Sequence, residues 1–200
     1  MKAVADQLRV SVPALYHHVQ GRHELVALVA DALAEQVLLD ERPGQPWRDW
    51  LHDAALDLRR MFERAPGLAR HARGLGHLTP AILQLHEQAC QRLVRSGFAP
   101  PQAYLVIRSV ADLVESHLER TDTLRTQGTD AAKLLLDAVH ERRGAAGTEP
   151  LPTLTQALHA LGGTAVEDQF DFALRALLAG IPDPPTDRVA GDPQVPDPPA

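Results

Sequence analysis

The sequence predicts an all-α fold, and three observations carry that prediction. Apolar residues recur at helical spacing along most of the chain, alanine and leucine dominate while β-branched runs are absent, and helix start and stop signals fall where the periodic stretches begin and end. Leu25, Val29, Ala32, Leu33 and Val37 form one stripe, which reads as a helix from Arg22 to Leu39. Trp47, Trp50, Leu51, Ala54, Leu58, Met61 and Phe62 form a second. A third runs through Ile82, Leu85, Ala89 and Leu93, with Thr79 as N-cap, Pro80 at the first helical position and Gly97 as a left-handed stop. Ala103, Ile107, Val110 and Val114 mark a fourth, long helix. Leu134, Leu135, Ala138 and Val139 mark a fifth, opening near Thr129 or Asp130. A last helix carries Phe170, Leu174, Leu177 and Leu178 behind a capping-box pair, Thr164 and Glu167. The Gly- and Pro-rich stretch from Arg143 to Thr153 reads as a loop. The proline-dense stretch from Pro182 to Ala200 reads as a disordered tail.

Composition narrows the function. The chain has 200 residues, 44% of them apolar and 23% charged, which suits one soluble protomer with a small domain joined to a larger one. No apolar run is long enough to span a bilayer and the N-terminus lacks a secretory apolar region, so no membrane partner and a cytoplasmic location are expected. The single cysteine, Cys90, excludes an intrachain disulfide and any cysteine-built zinc site. Ten histidines are scattered without metal-ligand spacing, and no Gly-rich phosphate loop occurs. The run His86-Glu87-Gln88-Ala89-Cys90 opens like a zinc-protease motif but lacks the second histidine. Asp112 and Glu115 share a helix face, where solvation or pairing with Arg108 accounts for them better than paired-carboxylate catalysis. No enzyme activity, cofactor or metal is expected. A net charge of −6 argues against a chain that coats nucleic acid, but it leaves room for a local basic site.

The first 40 residues are the most informative. Lys2 to Leu8 reads as a short amphipathic helix with Val4 and Leu8 turned inward. Arg9-Val10 then connects it to Ser11, a plausible N-cap, and Pro13 falls in the first turn of a second short helix, Ala14 to Val19. Gln20-Gly21 breaks that helix, and a longer one begins at Arg22. Two short helices followed by a long one read as a helix-turn-helix feeding a connecting helix.

The run from Met1 to Leu33, and above all VSVPALYHHVQGRHEL, resembles the DNA-binding domain of the TetR family of transcriptional regulators. The resemblance implies that the helix after Ser11 is a recognition helix that enters the major groove. Val12, Pro13, Ala14 and His17 would then face base edges. Val12 and Ala14 could offer only apolar contact to thymine methyls. Tyr16 and His18 match positions that touch the backbone or nearby bases, Arg22 matches the residue that meets a phosphate, and Leu15 and Val19 are core. Residues 1–40 are thus read as a partial DNA-binding domain with its connecting helix. Family members carry a further helix ahead of this segment, so a truncated or mis-started chain is expected, with the small domain loose and Val4, Leu8 and Leu15 short of cover.

The segments PWRDWLHDAALDLRRMFERAPGLARHA, CQRLVRSGFAPPQAY and FDFALRALLAGI are similar to the ligand-binding and dimerisation part of tetracycline-repressor-like regulators, which places that domain at 41–181 and the tail at 182–200. The resemblance implies a homodimer paired through Val110 and Val114 on one helix and Phe170, Leu174, Leu177 and Leu178 on another, unless these stripes are ordinary intrachain core. It also implies a pocket between helices, with Leu58, Phe62, His71, His77, Ile82, His86, Ile107 and Asp112 facing a small-molecule effector. Ala54 and Leu58 stand where tetracycline repressors have Asn and Phe, so a hydrophobic or weakly polar effector is expected rather than tetracycline-magnesium. The reading is a ligand-responsive regulator, a repressor that grips double-stranded operator DNA as a dimer. A ligand-binding, dimerising module without DNA binding, and an all-α enzyme using Asp112, His117 or His71, remain as alternatives.

Overall fold

A computed structural model describes residues 1–37, 39–65, 67–68, 79–129, 131–144, 151–161 and 165–185. Every regular element among them is helical: α1 Lys2–Leu8, α2 Val12–Tyr16, α3 Arg22–Ala34, α4 Trp47–Glu63, α5 Pro80–Arg95, α6 Pro100–Thr126, α7 Ala131–Gly144, α8 Pro152–Leu161 and α9 Ala165–Gly180. No described helix is long and apolar enough to cross a membrane.

The small domain closes on three residues, Ala5, Leu15 and Val19, with Val4, Val12 and Leu25 packed around them. Ser11 caps α2 as expected, its hydroxyl accepting from the Ala14 N–H at 3.2 Å. Leu15, expected to be short of cover, is buried. The inward face of α1 differs from the expected one: Ala5 is the buried residue, Val4 is half-buried and Leu8 is 59% exposed. The five-residue α2 covers only one turn of α1, and the chain reverses at Arg9 in a left-handed conformation (φ 56°), so Leu8 lies past the contact. The second helix spans Val12–Tyr16 rather than Ala14–Val19, and a turn at His17 and His18 carries the chain on to the buried Val19. The connecting helix stops at Ala34, short of Leu39. Its last carbonyls are taken up in tighter bonds from Gln36 to Leu33 and from Val37 to Ala34, and the linker then turns at Pro43-Gly44, where the Gln45 N–H donates to the Arg42 carbonyl, before Pro46 leads into α4.

One large core holds α4, α5, α6 and α9 together and takes in the end of α3 through Ala30 and Ala34. Trp50, Leu93, Val114, Phe170 and Leu174 are fully buried within it. Val110, Val114, Phe170, Leu174 and Leu178, expected at a dimer interface, all lie in this single-chain core, and Leu177 packs at its edge. A periodic stripe records burial without recording the partner, so they pack against their own chain.

Polar contacts hold the ends of these helices. Arg92 is buried beneath the linker: its Nε lies 2.7 Å from Glu41, its Nη2 donates to the Gln45 carbonyl at 2.8 Å, and its guanidinium lies over the Trp50 ring. Arg48 pairs with Asp183 and donates to the Leu178 and Ile181 carbonyls, latching the end of α9 to the start of α4. Gly97 stops α5 with φ 101°, and a Cβ there would meet Pro184 at 3.3 Å. The stretch expected to be a loop is shorter than Arg143–Thr153. The helix α7 reaches Gly144, and Pro152 opens α8, which packs against α7. A proline at a first helical position starts a helix as readily as it breaks one. Residues 145–150, Thr164 of the expected capping pair, and the tail from 186 onward lie outside the described residues.

His117, in the middle of α6, is buried with its ring 4.8 Å from that of Phe170. Burial first, then the Arg59 and Arg120 guanidinium charges, bring its pKa down from 6.5 to about 4. The folded state holds it neutral and the unfolded chain protonates it below 6.5, so stability is complete above pH 6.5 and falls as the pH drops toward 4. That change amounts to about 3 kcal/mol. Chemical unfolding of the wild type at pH 7 and pH 4.5 is expected to show the loss, and His117→Leu to remove most of this pH dependence. Truncating Leu174, which is fully buried, is expected to cost about 3 kcal/mol, against under about 0.5 kcal/mol for Leu105→Ala at a 63% exposed position.

Candidate ligand pocket and nucleic-acid interface

The larger domain holds a cavity of about 780 Å³ that is open to solvent on one side, toward the upper end of roughly 300–1,000 Å³ for small-molecule sites. Five structural pieces wall it: α3 through Ala30 and Ala34, the linker through Val37 and Leu39, the apolar face of α4, and the facing surfaces of α5 and α6. The lining is mostly apolar because these helices turn their core-facing stripes toward one another, and although they pack together they do not fill the space between them. Alanines at 30, 34, 54, 55, 89 and 111 leave space where larger residues would close the gap. Polar lining side chains are Tyr104, Arg108, Asp112 and Ser116 at four-residue intervals along α6, Glu115 on the same helix, and His86 on α5.

Of the eight residues expected at a ligand, Leu58, Phe62, Ile82, His86, Ile107 and Asp112 line this cavity. His71 and His77 lie outside the described residues. Asp112 is engaged by Arg108 at 2.5 Å on the same helix, as the i, i+4 spacing allows, and is mostly exposed. His86 places its Nδ1 2.8 Å from the Ile82 carbonyl oxygen. Sequence reasoning missed Trp50, Met61 and Arg108 as lining. Trp50 and Met61 are apolar residues within a stripe already assigned to core, and spacing cannot separate a residue that fills a core from one that borders a hole in it. Cys90 is half-buried, and burial pushes its thiol up, which leaves little thiolate for chemistry.

The α2 segment presents Ser11, Pro13, Tyr16, His17 and His18 to solvent, with Val12 and Ala14 half-exposed, and Arg22 stands exposed at the start of α3. The set expected to face DNA therefore lies on the open surface of the small domain. Tyr16 is 50% exposed, so its ring is not consumed by packing on α3.

The two regions are physically joined. Thr79 is the N-cap of α5, but its hydroxyl makes no cap bond and is buried without a partner among the described residues. The free N–H of Ala81 is instead taken by the Asp31 carboxylate, at 2.8 Å, from the last turn of α3. An acidic side chain at a helix N-terminus is favourable both as a hydrogen-bond acceptor and against the helix dipole. Here it ties the helix that leads out of the small domain to the helix that walls the cavity.

Comparison with known proteins agrees with this architecture. Residues 41–183 match the family model described as "Tetracyclin repressor-like, C-terminal domain". The chain is 26% identical over 182 residues to the class G tetracycline repressor protein of Vibrio anguillarum, covering 90% of this chain and 82% of that one. It is also 26% identical over 181 residues to an HTH-type transcriptional regulator of Saccharopolyspora erythraea, covering 90% and 75%. Among solved structures, a possible TetR family transcriptional regulator of Streptomyces coelicolor superposes with a TM-score of 0.74 at 25% identity, covering 90% of this chain and 86% of that one. The TetR family protein ActR of Streptomyces coelicolor, solved in complex with actinorhodin, superposes with a TM-score of 0.70 at 25% identity, covering 90% and 85%. These relatives are regulators of transcription rather than enzymes, and the chain belongs to the TetR family of transcriptional regulators, with a helical ligand-binding domain of the tetracycline-repressor type.

Proposed function

We propose that this protein is a homodimeric repressor that releases operator DNA when a small, largely apolar molecule occupies the cavity. The observation that carries this reading is the Asp31–Ala81 bond. A ligand seated against α5 shifts or braces that helix, and the shift reaches α3 through a hydrogen bond and the shared packing of Ala30 and Ala34. Changing the angle of α3 in both protomers changes the separation of the two α2 helices. A dimer reads two half-sites one helical turn apart, so a small change in separation moves one recognition helix out of its groove. The ligand acts by favouring the dimer with the wrong spacing.

Pairing falls to outward residues of the same region as the expected stripes, not to the stripes themselves. Phe172 on α9 is 75% exposed, and Leu134 and Leu135 on the adjoining α7 are close to half exposed. An isologous contact would bury these apolar side chains twice. The relatives named above support the family role, and ActR with actinorhodin supports a cavity that takes an organic effector.

Operator binding is tested by selecting duplexes from a random DNA library on the full chain and measuring affinity for the enriched sequence against salt. Affinity is expected to fall steeply as salt rises, with Arg22→Ala lowering the salt slope by about one phosphate and His17→Ala weakening the selected sequence without changing the slope. A library that yields no enriched duplex would favour the rival reading of a ligand-binding module without DNA contact. For coupling, Asp31→Ala is expected to leave operator affinity within a few-fold while weakening ligand-induced release, and to cost about 1 kcal/mol of stability as a lost helix cap. Sedimentation is expected to show a dimer for the wild type and a monomer for the double variant Leu135→Glu, Phe172→Glu.

A further inference from the structure

We propose that α7 and α8 together carry a surface site for a divalent metal ion of the zinc and copper class, ligated by His140 and His159. The two histidines stand nineteen positions apart, so the spacing that led to no metal being expected does not register the pair. Packing creates it. The helices α7 and α8 lie against each other, Val139 on one and Leu158 on the other are buried, and each directly precedes one of the histidines. The next step around each helix brings both imidazoles to one rim of the contact. They are exposed there, with ring centroids 6.4 Å apart and ring planes inclined at 57°. No residue of α7 or α8 lines the cavity, so this site is separate from the ligand pocket.

One ring is already set as a ligand. His159 Nδ1 lies 2.7 Å from the carbonyl oxygen of Thr155, one turn back on α8. A carbonyl oxygen only accepts, so Nδ1 carries the hydrogen and donates. In the neutral ring the lone pair is then on Nε2, and metal-bound histidines are commonly fixed in this way, through the other nitrogen by a backbone carbonyl. His140 is exposed, so its ring can turn a nitrogen lone pair toward the same point. With zinc–nitrogen bonds of about 2.0–2.1 Å, two imidazoles on one tetrahedral ion place their centroids roughly 5 Å apart. The observed separation is about 1 Å wider, a gap that rotation of either exposed side chain closes. Imidazole nitrogen suits zinc, copper and nickel, whereas magnesium and calcium seek oxygen. No group of three or more histidine, cysteine, aspartate or glutamate side chains gathers among the described residues, so two protein ligands hold the ion and water completes its shell. The ion ties α7 to α8, and α7 carries the exposed Leu134 and Leu135.

The test titrates zinc ion into the full chain by calorimetry in a non-chelating buffer, with magnesium ion as the comparison. Two of the four ligands of a structural site supply roughly half its binding free energy, so a dissociation constant on the order of 10 µM is expected for zinc, at one ion per chain. Magnesium is expected to give no binding. His140→Ala and His159→Ala are each expected to weaken zinc binding at least about 10-fold, because either loss breaks the chelate. His23→Ala, at another exposed histidine, is expected to change nothing. In protein labelled with nitrogen-15, zinc is expected to move the Nε2 resonance of His159 and leave its Nδ1 protonated. Thermal unfolding without zinc confirms the fold of each variant. No zinc binding by the wild type, magnesium binding as tightly, or an affinity that survives either substitution overturns the proposal. Stoichiometry halved at unchanged affinity overturns it too, since that marks two independent histidines, as does ligation through Nδ1 of His159. One ion per two chains would place the ion between copies and overturn a site within one chain.

Discussion

The hydrogen bond from the Ala81 N–H to the Asp31 carboxylate joins the helix that carries the small domain to the helix that walls the cavity, and the proposed coupling between them depends on it. Asp31 lies on the helix that carries the small domain, and Ala81 opens the helix that walls the cavity. Helix starts leave N–H groups without intrahelical partners, and the usual remedy is a local side chain. Here the local candidate, Thr79, makes no such bond, and a residue from α3 stands in for it. A local cap would stabilise α5 alone. A distant one makes the start of α5 and the orientation of α3 parts of the same balance, strengthened by the burial of Ala30 and Ala34 in the large core.

A movable junction needs a rigid frame around it, and buried or latched arginines supply part of that frame. Arg92 holds Glu41 and the Gln45 carbonyl from beneath, so the linker after α3 is anchored to α5 a second time. Arg48 and Trp47 hold Asp183, whose carboxyl stays below its usual range because Arg48 bonds it, with Trp47 adding a second donor. The start of α4, the end of α9 and the α5–α6 turn are thereby tied together through Pro184 and Gly97. The cavity lies between this latched end and α3. Its walls are helices fixed at their ends, and its empty space comes from alanines where larger apolar residues would otherwise pack.

Much of the architecture was legible because amphipathic periodicity is a local consequence of burial. The helices α4, α5 and α6 carry long apolar stripes with clear stops, and α5 begins and ends at the residues its proline and glycine signal. The small elements were less legible. A seven-residue helix has too few positions to define a face, and Leu8 was assigned inward because it is apolar, while the small Ala5 is what the close approach of α2 accepts. Pro152 in a Gly- and Pro-rich stretch reads as interrupting structure, yet it opens α8. Proline excludes a helix only behind its own position, and local composition does not say which side the chain will use.

By itself, the sequence determined the helical class, the order of the main helices and the helix-turn-helix with its exposed polar face, and it named six of the residues that border the cavity. These follow from the chain's own periodicity and from short-range capping, which need no knowledge of distant partners. Tertiary structure alone decided which buried stripes face their own chain, that the space between α4, α5 and α6 stays open, and that Asp31 completes the start of α5 from fifty residues away. Those outcomes depend on how faces from different helices meet, and a stripe of apolar residues states only that it will be buried, not against what.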